Sequence, residues 1–112
     1  MMKKLMSVDK EKLAEAVKTG KTVIEFSAPW CPECRYLEPA WPYIKKDLSE
    51  YNFISVDRDT SGDLMKKMNI KGMPSFIVYE DGIEKGRLIN GDKISKTEVE
   101  EFVRSTEKWN EI

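Results

Sequence analysis

Histidine is absent from this chain of 112 residues. Without it there is no Ser-His-Asp or Cys-His couple and no histidine-held metal, which sets aside most hydrolases and zinc enzymes together. Long apolar runs are missing as well. The longest stretch free of Asp, Glu, Lys and Arg goes from Gly72 to Tyr79, far short of the ~20 apolar residues of a membrane-spanning helix. Six glycines are scattered through expected turns, so no phosphate-cradling loop is formed. A strong charge of either sign is lacking: 19 basic and 20 acidic residues leave a net charge of −1. Lys and Glu alternate along the chain, which gives neither a basic stripe for nucleic acid nor a polybasic patch for anionic lipid. Met1 to Lys10 begins with basic residues but has no apolar h-region behind them, and a cytoplasmic location is expected.

What is present fits one small α/β domain over 1–112, acting as a monomer. Hydrophobic residues make up 40% and charged residues 35%, enough for a single core and not for a second. Asp9 to Thr19 carries Leu13, Ala14 and Val17 at helical spacing and stops at Gly20. Thr22 to Ser27 is short and β-branched, and reads as a buried strand. From Pro32 to Glu50, Leu37, Trp41, Ile44 and Leu48 mark one face of a long helix, with a kink expected where Pro39 and Pro42 remove backbone donors. Tyr51 to Asp57 reads as a second strand, and Thr60-Ser61-Gly62-Asp63 as a capping box opening a short helix through Leu64, Met65 and Met68. Ser75 to Tyr79, the Asp81-Gly82 turn and Ile83 to Asn90 form the strongest hairpin signal. A second capping box, Ser95-Lys96-Thr97-Glu98, opens a last helix with Val99, Phe102 and Val103 on its apolar face. This alternation predicts a central mixed β-sheet flanked by helices on both faces.

Both cysteines fall in Trp30-Cys31-Pro32-Glu33-Cys34, where the first strand hands over to the kinked helix. A spacing of i, i+3 at a helix N-terminus lets two sulfurs meet, and the unpaired N–H groups of the first turn favour an anion beside the first of them. The thiolate is the species that attacks a disulfide. Cys31 is therefore the expected nucleophile, and Cys34, one turn in and less exposed, the expected resolving thiol. Glu25 lies six residues before Cys31 in an otherwise apolar strand. Facing inward it is a carboxyl group behind the cysteines, with a proton affinity raised by desolvation and a general acid/base role toward Cys34. Facing outward it is an ordinary solvated Glu. It is in register with Val23 and out of register with Ile24 and Phe26, all apolar, so strand periodicity leaves both orientations open.

Taken together these residues resemble the thioredoxin family. Trp30-Cys31-Pro32-Glu33-Cys34 is similar to its Trp-Cys-x-x-Cys, Glu25 falls at its buried acid, and Pro39 at its helix-kinking proline. Ile70-Lys71-Gly72-Met73-Pro74-Ser75-Phe76 resembles the segment whose proline is cis and lies against the cysteines; Asp81-Gly82 matches the hairpin turn and Gly91 the glycine on the substrate-facing surface. The resemblance covers the whole chain in order. It implies the thioredoxin fold and a thiol-disulfide oxidoreductase needing no cofactor beyond a redox-active Cys31-Cys34 disulfide. Its partners are disulfide-containing client proteins and a thioredoxin reductase-type flavoprotein. Substrate contact is implied for Trp30, Pro32, Met73, Pro74 and Gly91.

Three departures point to a specialised member of the family. Pro32-Glu33 stands between the cysteines in place of Gly-Pro, and the charge of Glu33 near Cys31 disfavours the thiolate and tilts the pair toward reducing power. The buried acid is Glu rather than Asp. Phe53 stands where many relatives carry a lysine that pairs with that acid. Two other readings compete: a redox-silent adaptor on the same fold, and a metal held by Cys31 and Cys34, which supplies two ligands and needs a second chain. A disulfide closing so small a loop stabilises little through chain entropy, which argues against a purely structural cysteine pair. The methionines at helical spacing with Leu64 read as core filling, Trp41 as core and Trp30 as surface, while Trp109 has no assigned role.

Overall fold

The computed structural model describes residues 3–5, 7–89 and 94–107. One sheet of five strands holds β1 (Lys3–Leu5), β2 (Lys21–Ser27), β3 (Asn52–Asp57), β4 (Ser75–Glu80) and β5 (Ile83–Ile89), in the order β1-β3-β2-β4-β5. β1 and β2 both run parallel to β3, β4 is antiparallel to β2, and β5 antiparallel to β4. The sheet is mixed, as expected. β1 was not among the expected elements: three residues, Lys-Lys-Leu, are too few to carry a period of two.

Among the described residues five α-helices accompany the sheet: α1 (Lys10–Val17), α2 (Pro32–Leu37), α3 (Trp41–Asp47), α4 (Arg58–Lys67) and α5 (Lys96–Thr106). They cover both faces of the sheet. On one face Leu13, Val17, Leu64 and Met65 pack against Ile24, Phe26, Ile54, Val56 and Ile77, with Met68 at the margin. On the other, Leu37, Trp41, Ile44, Val99 and Val103 pack against Val23, Phe53, Phe76 and Val78. The expectation of a single core is thus corrected: alternate residues of the same strands feed two apolar layers that share one sheet.

The long helix expected over 32–50 is three pieces, α2, a 3-10 turn over Glu38–Ala40, and α3. Pro39 in the turn and Pro42 at the start of α3 lack the N–H groups that would continue the α ladder, so the axis bends where the prolines stand. The capping box expected at Thr60 is also corrected. α4 starts earlier, capped by the Asp57 carboxylate, which accepts the Asp59 N–H at 2.7 Å, and Ser61 interrupts it with φ −129° and ψ 29°. The hydroxyls of Thr60 and Ser61 serve the opposite segment instead, accepting the N–H groups of Ser7 at 3.0 Å and Val8 at 2.8 Å. The second box is present as expected: Ser95 Oγ accepts the Glu98 N–H, and the Glu98 carboxylate accepts the Ser95 N–H, both at 3.1 Å.

The β4-β5 turn has positive φ at both Asp81 (50°) and Gly82 (84°), the backbone a two-residue hairpin requires. It is clasped to the end of α1. Asp81 Oδ1 accepts the Gly20 N–H at 2.8 Å, and the Asp81 and Gly82 N–H groups reach the carbonyls of Gly20 and Val17 at 2.9 Å.

Candidate active site

Three chain segments meet at one end of the parallel strands: the β2-α2 connection, the end of β3, and the loop before β4. Cys31 is the N-cap of α2, with an extended backbone (φ −80°, ψ 113°). Its Sγ accepts the Cys34 N–H at 3.2 Å, standing where a serine or aspartate oxygen usually caps a helix. Pro32 follows at the helix start, exposed, where a missing N–H costs nothing. Glu33 is half-buried in the first turn.

Both cysteines are free thiols, and both are buried. Cys31 keeps 2% of its surface and Cys34 4%, so the expectation that Cys34 is the more sheltered is corrected. Ala28 and the Met73 side chain pack against the pair, and the Cys31 sulfur is folded back onto its own helix by the capping bond. The Met73-Pro74 peptide is cis, with the Met73 carbonyl oxygen 4.0 Å from Cys31 Sγ and Pro74 buried behind it.

Glu25 faces inward, with 5% of its surface exposed. Periodicity could not decide its orientation because β2 is central and every residue from Thr22 to Phe26 is buried. Burial pushes its proton affinity up to about 7 against a hydrogen bond from Ser55; the charge of Glu38 adds to the rise, and hydrogen bonds from Trp41 and Ser27 oppose it. Phe53 supplies no counter-charge: it is buried two residues before Ser55 and packs edge-on against Trp41, ring centroids 5.8 Å apart. Cys34 is held strongly in its thiol form, first by burial and then by its hydrogen bond and proximity to Cys31, with Glu25 adding to the effect; the backbone of Ala28 works in the other direction.

Trp30 stands on the surface, 56% exposed, as expected. Its Nε1–H donates to the Asp59 carboxylate at 3.0 and 3.2 Å, and the Arg58 guanidinium lies 5.8 Å from its ring centroid. Gly91 and Trp109 lie outside the described residues. The sequence reading missed Asp59 and Arg58 around the indole, and Ser27, Ser55 and Glu38 around the acid. A signal existed for them. Ser27, Ser55 and Asp57 sit at the C-terminal ends of parallel neighbours β2 and β3, where sites in such sheets gather, and Glu38 is four residues after Cys34, on the same helix face.

A dithiol on the first turn of a helix, backed by a buried acid and flanked by a cis-proline loop, defines a thiol-disulfide class of protein. The thioredoxin family's sequence profile matches residues 4–105. The chain is 32% identical over 103 residues to "Thioredoxin Asp f 28" of Aspergillus fumigatus, a match covering 91% of this chain and 94% of that one. It is 35% identical over 71 residues to thioredoxin H2 of Arabidopsis thaliana, covering 63% of this chain and 53% of that longer one. Among solved structures, mitochondrial thioredoxin 3 of Saccharomyces cerevisiae in its oxidised form superposes with a TM-score of 0.78 at 26% identity, over 93% of this chain and 94% of that one. The chain belongs to the thioredoxin family and has the thioredoxin fold, and that membership supports a thiol-disulfide oxidoreductase.

Proposed function

We propose that the protein reduces disulfides in partner proteins through a Cys31/Cys34 dithiol-disulfide cycle. The observation that carries this reading is the position of Cys31 Sγ on the Cys34 N–H, since that bond stabilises an anionic sulfur and fixes it one turn from the second thiol. Cys31 attacks one sulfur of the client disulfide, forming a mixed disulfide and releasing the other client sulfur as a thiolate. Cys34, held as a thiol, then passes its proton to Glu25 and attacks Cys31 Sγ. The Cys31-client bond breaks, the second client sulfur leaves with the electron pair, and a Cys31-Cys34 disulfide remains. Two electrons have moved to the client, and a thioredoxin reductase-type flavoprotein restores them. No other cofactor is needed.

Trp30 and Pro32, both exposed, and the half-exposed Met73 form the docking ground for the client, with Pro74 buried beneath; the family resemblance adds Gly91, which lies outside the described residues. Met73 is the element that yields, because its flexible thioether packs on the cysteines while staying half-exposed itself. Glu33 tunes the pair toward reducing power. An insulin-type reduction assay tests the cycle, with Cys31→Ser as control: turnover by the native protein no greater than by the variant removes this reading. Equilibration with a glutathione couple gives the potential of the pair, which separates a reductant from an oxidant.

A further inference from the structure

A cavity of about 480 Å³ opens beside the cysteines, between the bent helix and the ends of β2 and β3. Cys34, Glu38, Trp41 and Lys45 all line it, spaced four, three and four residues apart, so they form one face of α2, the 3-10 turn and α3. The opposite wall carries Glu25 and Ser27 from β2 and Ser55 and Asp57 from β3. The titratable groups facing Glu25 are therefore Cys34 from α2, Glu38 from the turn, Lys45 from α3 and Asp57 from β3. Glu25 is at the buried end of this space, while Glu38 is exposed.

We infer that Glu38, which lines the same cavity as Glu25, tunes how readily Glu25 takes the proton of Cys34, and so acts as a positioning residue for the resolving step. This deepens the function proposed above and rests on it. The Cys34 thiol proton moves to a Glu25 carboxylate oxygen, Cys34 Sγ bonds to Cys31 Sγ, and the Cys31-client bond breaks with its electron pair on the client sulfur. Glu25 afterwards returns the proton through the cavity to water. A second negative charge on the same cavity strengthens the hold of Glu25 on that proton. Among the charged groups Glu38 acts on Glu25 most strongly, although burial of Glu25 itself has the larger effect.

The test is a carbon-NMR titration of the Glu25 carboxyl in the full reduced chain, comparing native protein with Glu38→Gln and Glu38→Asp. Glu38 is exposed, so neither change threatens folding. The Glu25 midpoint is expected to fall in Glu38→Gln by on the order of half a pH unit, the scale of one like charge acting through a partly solvated gap. It stays at the native value in Glu38→Asp, and the difference between native and Glu38→Gln shrinks at 1 M salt, where screening acts within ~3 Å. The acid limb of disulfide reduction shifts with it. A Glu25 midpoint unmoved in Glu38→Gln, or moved equally in Glu38→Asp, overturns the inference. The titration needs no turnover, so a protein that reduces no disulfide would sink the proposed function while leaving this measurement readable.

Discussion

The Cys34 N–H donates to Cys31 Sγ across 3.2 Å, so the first cysteine caps the helix that carries the second. One hydrogen bond thereby does two things. It satisfies an N–H of the first helical turn that would otherwise lack a partner, and it ties the attacking sulfur to the backbone of the residue that carries the resolving one.

The two sulfurs have different parts in the proposed cycle, and single substitutions separate them. Cys34→Ser is expected to accumulate a one-to-one mixed disulfide with a client, visible by mass spectrometry and released by added dithiol. Cys31→Ser forms no such adduct. An adduct on Cys34 in the latter variant would reverse the assignment.

Glu25 ties stability to pH. Its folded-state affinity of about 7 lies above the ordinary 4.5, so the folded chain holds this proton more tightly than the unfolded one. The stability is fully present below pH 4.5 and is lost as the pH rises toward and through 7. At about 1.4 kcal/mol per pH unit, this gap corresponds to about 3 kcal/mol. Glu25→Gln is therefore expected to be more stable than the native protein at pH 8, by up to about 3 kcal/mol, with a flatter urea-midpoint profile between pH 5 and 7. The same variant resolves mixed disulfides more slowly. Equal pH profiles for the two proteins would contradict the burial argument.

Met73 covers the cysteine pair, and truncation should uncover it. Met73→Ala is expected to raise the alkylation rate of Cys31 by iodoacetamide several-fold at fixed pH, with the modified residue identified by peptide mapping. An unchanged rate would place the barrier to Cys31 elsewhere.

Trp30 is oriented by Asp59. Asp59→Ala removes the acceptor of the indole N–H and is expected to raise KM for a protein client about fivefold, matching about 1 kcal/mol for one lost hydrogen bond. The turnover number should stay near the native value. A loss confined to turnover would contradict a docking role.

Ser61 is the stability counterpart, away from the site. Its hydroxyl accepts the N–H of Val8 at 2.8 Å in a buried setting. Ser61→Ala leaves that N–H without its partner and is expected to cost about 2 kcal/mol in urea denaturation.

Most of this molecule could be read from residue pattern. The hairpin was marked by Asp81-Gly82, α5 by Ser95 and Glu98, and the site by two cysteines three apart after a β-branched strand. What escaped the reading has physical causes. β1 is too short to show a period. Thr60 and Ser61 carry capping chemistry, but a partner distant in sequence, the Ser7-Val8 backbone, took their hydroxyls. Glu25 sits in a strand buried on both faces, where alternation of polarity disappears and only packing reveals which way a side chain points. The burial of Cys31 could not be read either, because Met73, which packs on it, is far away in sequence and close only after folding.

The face shared by Cys34, Glu38, Trp41 and Lys45 exists only while the residues between them keep their count. Each helical residue advances the chain by about 100°. A one-residue insertion near Pro39 therefore swings Lys45 and Trp41 a quarter-turn or more away from the cysteine side, removing an indole from the core as it empties one wall of the cavity. The chemistry along this stretch can change with the face kept in place; its length cannot.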